Sequence, residues 1–509
     1  MGINKYSTSK KLAMTLTYLQ IVVQSVSTLF LTRFYIQKLG EDAYGFYQMI
    51  YAVAQYILIL DLGISATMIR YIAEFDARDE HKKAENFAFH MLCIMILMLC
   101  IITGIGIFVA FKIGNIYTSF TLEEVVLAQK IFKVMILQIC GTVVTHFAQG
   151  IALAYNRYSF VKSVAVMQIL FGAILSIVFL VLNMGIEGIV RANTIVIMLN
   201  ALSILGYDFL VLKFRIRFYK LDLRMMYPAT VLMLAMLLQS VIGYVNTSVG
   251  KTILGIMSTK HAVTVYSIAA TVITMFNALP TAVSSVYQPD AVRLVVKGAT
   301  STEINDFIAK PGRIQFIITG GFISGWLLFG IEFIKCWTGP RTIMAWAYVL
   351  IIMVPNTLPL IQNTVLAILN AKDKRIFRSI ILGLIVIINI GLSVVLIKLI
   401  GPIGTPIAIG ISYFIGHCLI MNVYYWKVLK LDIIDMLKKI TNGILLCILA
   451  TTALCCPLLL IKNDGNWLVF LFKASVFCMI YAFNLYKWGL NSNEKNMIIT
   501  KLNQLKKSN

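Results

Sequence analysis

Charge is scarce in this sequence, and negative charge scarcer still. Only 13% of the 509 residues are charged, with 22 acids against 44 Lys and Arg. A soluble domain carries about 25% charged residues, so a soluble globular protein is excluded. No Gly-rich phosphate cradle followed by Lys and Ser/Thr is present, which excludes an ATPase motor within this chain. The five His are scattered, and no His/Cys/Asp group has metal-ligand spacing, so no metal and no other cofactor is expected. Eight of the nine Cys fall well inside apolar spans and Cys336 lies at the end of one, where a thiol acts as a small hydrophobe and not as half of a disulfide. A cleavable leader is not expected either. Lys5, Lys10 and Lys11 precede a span too long for a signal peptide, with no small-residue cleavage site after it.

What fills the chain instead is apolar: 59% of all residues, in long runs. Crossing a bilayer takes about 20 apolar residues per helix, whereas barrel strands need only about 10 and alternate in polarity. The expected class is therefore all-α and polytopic, with fourteen spans running from 13–37 to 467–488. An even number places both termini on one side. Most Lys and Arg then fall on that side, in loops such as Lys213-Phe-Arg215-Ile-Arg217 and around Lys372, Lys374, Arg375 and Arg378, which makes it the cytoplasm. The net charge of +22 is thus a topology signal, and nucleic acid is not an expected partner.

The spans repeat once, about 215 residues apart. Leu39-Gly40 followed by Ala43-x-x-x-Tyr47 returns as Leu254-Gly255 followed by Ala262-x-x-x-Tyr266. Gln149-x-x-x-Leu153-Ala154 with Phe160 and Lys162-Ser163 returns as Gln362-x-x-x-Leu366-Ala367 with Phe377 and Arg378-Ser379. Gly185-x-x-Gly188 and Lys220-Leu221-Asp222 return as Gly401-x-x-Gly404 and Lys430-Leu431-Asp432. Six helices per copy enter the membrane in one direction, so two parallel repeats around a central cavity are expected, an architecture of transporters. The expected organisation is a lobe over 1–220, a second over 221–435, and two accessory helices with a basic tail over 436–509. Pro280, Pro355 and Pro359 lie inside helices, where they bend the chain and suit a bundle that changes shape.

Ionisable groups within apolar spans are the candidate site residues, because a charge there costs at least about 2.5 kcal/mol and so faces a cavity or a partner. Asp61, in Leu60-Asp61-Leu62-Gly63, is the clearest buried acid and the candidate for ion coupling, of a proton or sodium, or for gating. Arg33, Lys130, Lys133, Arg191 and Lys251 fall in the outer part of the spans and would make a cationic wall for a phosphate-bearing headgroup. Snorkelling to the interface is the competing reading, and the favoured one for Lys130, Arg191 and Lys251. Arg70 and Arg293, at inner helix ends, would meet that headgroup from the cytoplasm or act as plain topology anchors. Gln20, Gln24, Gln168, Asn277, Gln362 and Asn363 are the candidate sugar contacts, in competition with ordinary helix–helix hydrogen bonds. Trp337 and Trp467, and Trp426 and Trp488, read as interfacial belts, and Gly320, Gly321 and Gly325 as close helix packing.

The opening Leu31-Thr-Arg-Phe-Tyr-Ile-Gln-Lys-Leu-Gly40, Ala43-Tyr-Gly-Phe-Tyr47, Leu60-Asp-Leu-Gly63 and Arg70-Tyr71 resembles that of the Wzx-type polysaccharide flippases of the multidrug/oligosaccharidyl-lipid/polysaccharide exporter superfamily. The resemblance continues through Ile253-Leu254-Gly255, Val265-Tyr-Ser-Ile-Ala269, Leu328-Phe-Gly330 and Pro359-Leu-Ile-Gln362. It implies a transporter and not an enzyme: a flippase carrying a polyprenyl-diphosphate-linked oligosaccharide to the outer leaflet of the bacterial cytoplasmic membrane by alternating access. O-antigen or capsule assembly would be the pathway, with membrane lipids, a coupling ion, and a polysaccharide polymerase with its chain-length machinery as partners. Arg33 stands where helix 1 arginines line the cavity in related lipid II flippases. One departure is Gly250, where many relatives carry an Asp before the Lys, so that Asp61 becomes the main candidate for coupling. The alternatives are a cation-coupled multidrug exporter of the same superfamily, and a membrane polymerase or glycosyltransferase, which would need acidic residues in a sizeable outer loop.

Overall fold

The computed structural model describes residues 2–61, 63–372, 375–492 and 494–496. Leu62, Lys374 and the basic tail beyond Asn496 lie outside the described residues, as do the side chains of Lys5, Lys10, Lys11 and Arg375. The described chain is helical throughout, without a strand. It divides into two compact units, residues 1–264 and 265–509.

The N-terminal unit is built from α1 (Gly2–Leu39), α2 (Glu41–Ile57), α3 (Ile64–Ala77), α4 (His81–Ile116), α5 (Leu122–Ala154), α6 (Tyr158–Val181), α7 (Gly185–Gly206), α8 (Leu223–Met257) and the first turn of α9 (Lys260–Val296). α5 is its centre, packed on α3, α4 and α7, while α6 joins α1 to α7. The remainder of α9 belongs to the C-terminal unit. It is followed by α10 (Ser301–Trp337), α11 (Ala345–Ile361), α12 (Val365–Ala371), α13 (Arg375–Ile400), α14 (Gly404–Tyr413), α15 (Asn422–Leu429), α16 (Ile433–Thr441), α17 (Ile444–Cys455) and α18 (Trp467–Asn484). Here α11 packs on α10 and α14, and α13 on α14, the same order of neighbours as in the first copy.

Among the described residues, eleven helices are long and apolar enough to cross a membrane, or twelve if the bent pair Ile433–Thr441 and Ile444–Leu460 is one span. That is fewer than the fourteen expected. Phe377–Leu429 counts once although it holds α13 and α14–α15, and the 35-residue α8 lies outside the count.

The repeat reaches side-chain detail within each unit. Asn86 on α4 donates to the Lys220 carbonyl (2.9 Å) and accepts from the amides of Tyr219 and Lys220. Asn305 on α10 donates to the Asp432 carbonyl (2.9 Å). Each Asn thus pins the linker that ends in Lys-Leu-Asp, and each terminal Asp caps the next helix, Asp222 accepting from Met225 N (3.1 Å) and Asp432 from Asp435 N (2.9 Å). Phe160 stacks on Tyr207 at 3.9 Å and Phe377 on Tyr424 at 4.0 Å. In both copies the helix nearby loosens to π geometry, over Tyr207–Val211 and Phe414–Met421.

The accessory helices α16–α18 pack on α10. A Cβ at Gly320 would fall 2.2 Å from the Ile448 side chain, which would have to turn aside, so the glycine lets α17 pack closely. Two buried cations hold the assembly. Lys473, wholly buried, donates to Glu332 (2.6 Å) and to the Ile461 carbonyl (2.5 Å). Arg313 donates to Glu494 (2.9 Å) and to the carbonyls of Lys439, Asn442 and Gly489. Trp337 corrects an expectation: it is buried against Phe333 and is no interfacial belt, whereas Trp426 and Trp488 are exposed.

Candidate functional site

The helix is interrupted around Asp61. α2 ends at Ile57, a tight turn spans Leu58–Asp61, and Gly63 takes a left-handed φ of 65° before α3 begins. Glycine, lacking a Cβ, takes that conformation most readily. The break turns the Asp61 carboxylate toward α5, where His146 Nδ1–H donates to Oδ2 at 2.8 Å. Its other oxygen, Oδ1, is buried and has no hydrogen-bond partner among the described residues. His146 is not among the candidates taken from the sequence. The signal that would have found it is the one used for Asp61, a titratable group well inside an apolar span.

Above this pair on α5, the N-terminal unit forms an open-mouthed cavity of about 310 Å³ between α1, α2, α5, α6 and α7. Four residues with amide side chains line it, Gln24, Gln138, Gln168 and Asn193, together with Ser27, Thr28, Tyr47 and Tyr51. None of the lining residues is charged. Gln24 Nε2 donates to Thr28 Oγ1 (3.1 Å), and Asn200 Nδ2 donates to Gln168 Oε1. A smaller recess of about 30 Å³, large enough for a water, shares Tyr51 and Gln138 with the cavity and adds Gln55, Leu58 and Thr142. Thr142 stands one turn before His146, and Leu58 starts the turn that carries Asp61. A line of polar groups therefore runs from the cavity to the Asp–His pair.

The expected cations are not gathered into one wall. Lys130 (2.8 Å) and Arg191 (2.9 Å) share the Glu187 carboxylate. Lys133 is exposed with its ammonium 5.7 Å from the Phe111 ring. Lys251 donates to Gln48 Oε1 (2.8 Å), beside a Tyr56–Thr252 hydroxyl contact that also ties α8 to α2. Arg33 is half-buried on α1, two residues beyond the cavity's Leu31, and is not among the lining residues. Arg70 lies exposed over Tyr71, and Arg293, exposed, faces Asp290 at 3.5 Å.

Of the six expected sugar contacts, the structure brings Gln24 and Gln168 to one cavity. Gln20 instead accepts from Lys162 Nζ (3.1 Å). In the C-terminal unit Asn356 donates to Asn277 (2.7 Å) and Gln362 to Asn422 (2.7 Å), both between helices, and Asn363 sits in the turn after α11.

One further cluster closes an end of the unit. His261 lies 3.0 Å from Glu41, Thr264 Oγ1 donates to the Glu41 carbonyl (2.6 Å), and Lys260 pairs with Glu124. A Cβ at Gly45 would fall 2.1 Å from the Lys260 carbonyl. The α8–α9 turn is thus latched onto the starts of α2 and α5.

A family model described as polysaccharide biosynthesis protein matches residues 11–289. No curated protein matches. Among solved structures, a lipid II flippase, MurJ, in an inward closed conformation is similar at a TM-score of 0.72 and 16% identity, over 93% of this chain and 97% of that one. An inward-facing multidrug resistance MATE family transporter of the MOP superfamily follows at 0.63 and 16%, over 77% and 92%. A MOP superfamily transporter from Pyrococcus furiosus, whose binding pocket is described as reversed in polarity, scores 0.52 at 16%, over 79% and 92%. At such identities the likeness is one of fold.

Proposed function

The chain belongs to the polysaccharide biosynthesis protein family, matched by that model over more than half its length, and on that premise we propose that it is a lipid-linked oligosaccharide flippase. In this reading it carries a polyprenyl-diphosphate-linked glycan from the inner to the outer leaflet of a bacterial cytoplasmic membrane, for O-antigen, capsule or a similar surface polysaccharide. It works by alternating access, with both termini in the cytoplasm. The observation that carries the reading is the uncharged, amide- and hydroxyl-lined cavity of the N-terminal unit. Amides donate and accept at once, as sugar hydroxyls do. An organic cation calls for a carboxylate facing it, and here Asp61 is turned to His146 instead.

Arg33 is the first residue we assign to the diphosphate, since a guanidinium fork grips phosphate oxygens in pairs. Asp61 and His146 form the coupling or gating element. A proton or sodium ion that displaced one partner would free the α2–α3 break to straighten.

The test is reconstitution in liposomes with a fluorescent polyprenyl-diphosphate glycan, read by the accessibility of the sugar to an external lectin. Protein-dependent appearance of glycan on the far leaflet supports the reading. Cation-driven efflux of organic cations with no movement of glycan would replace it with the exporter. Elongation of the glycan by the purified protein would replace it with a polymerase.

A further inference from the structure

We infer that the 310 Å³ cavity of the N-terminal unit is a recognition pocket for one uncharged sugar residue of the transported glycan, and that it turns away uronic and other acidic sugars. The inference rests on the flippase reading and adds a substrate class to it. Three observations carry it.

The first is size. Ligand clefts span about 300–1,000 Å³, and this cavity stands at the bottom of that range. It has room for a single pyranose with little to spare, not for a whole oligosaccharide. The second is the chemistry of the wall. The orientation of two amides is already committed: Gln168 accepts from Asn200, which leaves its own N–H groups to donate, and Gln24 donates to Thr28, which leaves its carbonyl oxygen to accept. A donor from α6 and an acceptor from α1 match a ring bearing hydroxyls or an acetamido group. A carboxylate in the same place would find neutral amide and hydroxyl donors but no cation among the lining residues, and neutral donors return less than the water it gives up. The same argument keeps the diphosphate out, so headgroup and sugar are recognised apart.

The third observation is the aromatic wall. Tyr47 and Tyr51, one turn apart on α2, both line the cavity, with ring centroids 5.9 Å apart and planes at 30°. Such a pair offers an apolar surface for the C–H face of a sugar while the hydroxyls bond to the amides opposite.

Gly172 on α6 supplies the means of testing this. A Cβ built there meets only Asn193 Oδ1, at an ordinary 3.7 Å, so Gly172→Ala fits while the longer Gly172→Leu extends into the cavity. Three probes are needed in the liposome assay: polyprenyl diphosphate bearing an N-acetylhexosamine, the same lipid bearing a hexuronic acid, and polyprenyl diphosphate alone. Each is followed by an acid-stable fluorophore on the lipid or by mass spectrometry of the exposed leaflet.

The wild type is expected to move the neutral glycolipid at least about tenfold faster than the uronate. Gly172→Leu and Gln168→Leu should abolish that preference by slowing the neutral substrate to the rate of the uronate. Gly172→Ala should behave as wild type, which separates occlusion from misfolding. Gln168→Lys should raise uronate transport. Equal rates for neutral and acidic glycolipids in the wild type, or a Gly172→Leu variant with undiminished selectivity, would overturn the pocket while leaving a flippase in place. If no lipid moves under any condition, the flippase reading fails and the pocket assignment falls with it.

Discussion

The two copies of the repeat keep the same scaffold and differ at one place. Both pin the Lys-Leu-Asp linker with an Asn, both cap the next helix with that Asp, and both stack a Phe on a Tyr beside a π-helical turn. The spacing that carries Ala43 and Tyr47 onto Ala262 and Tyr266 carries Asp61 onto Pro280. The spacing that carries Gln149 onto Gln362 carries His146 onto Pro359. The interacting acid and base of the first copy are thus both prolines in the second. A proline permanently interrupts the hydrogen-bond ladder, by lacking an N–H, although α9 and α11 run on through Pro280 and Pro359; Cys418 Sγ donates to the carbonyl of Pro355 that Pro359 leaves open (3.5 Å). Asp61 and His146 instead mark a break beside which a side-chain contact joins α3's approach to α5. The shared features are thus architecture, and the unshared pair is where the proposed coupling element sits.

That comparison is broken or sharpened first where the copies have no correspondence at all, in the accessory helices. Lys473→Met or Glu332→Gln alone leaves an unpaired buried charge or a broken network, and should lower stability by about 3–5 kcal/mol. The double change Lys473→Met with Glu332→Leu should recover most of it, with glycan transport intact throughout; thermal unfolding in detergent measures the first and the liposome assay the second. Next, Asp61→Asn and His146→Ala should each cut transport about 100-fold, or about 2.7 kcal/mol of barrier, and the double variant no further. Pro280→Ala or Pro359→Ala should cost less than about tenfold. Comparable losses from the prolines would mean that both breaks serve alike. A smaller effect is expected at the two clamps. Asn86→Ala strands three backbone groups of its linker and Asn305→Ala one, so they should cost about 2 and about 1 kcal/mol respectively, read by thermal unfolding.

Much of the architecture was legible because duplication writes itself in letters at a steady spacing, and the Lys-Leu-Asp motif turned out to be the clamped linker in both halves. The break at Asp61 was not legible, since the residues Leu58 to Leu60 are as apolar as any helix interior and only Gly63 hints at a stop. The partners of the cations were hidden for a different reason. Glu187 and Arg191 are one turn apart in sequence, so their pairing could be read, but the arrival of Lys130 on the same carboxylate is a contact between α5 and α7. Amides behaved likewise. Gln24 and Gln168 lie on helices far apart in sequence, and only the fold decides that they share a cavity while Gln362 is spent on Asn422.

The smallest effect belongs to the aromatic stacks, and it discriminates most finely. Phe160 on Tyr207 and Phe377 on Tyr424 have nearly identical geometry, with planes at 17° and 12°. Such a pair adds about 0.5–1.5 kcal/mol beyond the area it buries. Phe160→Leu and Phe377→Leu, which keep apolar bulk and remove the ring, should therefore lower stability by about 1 kcal/mol each. The two stacks sit beside π-helical turns, where a helix has an extra residue to absorb or release. If those turns move during transport in one copy alone, the variant in that copy will slow lipid movement while its counterpart shifts only the unfolding temperature. Equal stability loss with unequal transport loss would assign the moving turn to one half, and equal transport loss would assign it to both.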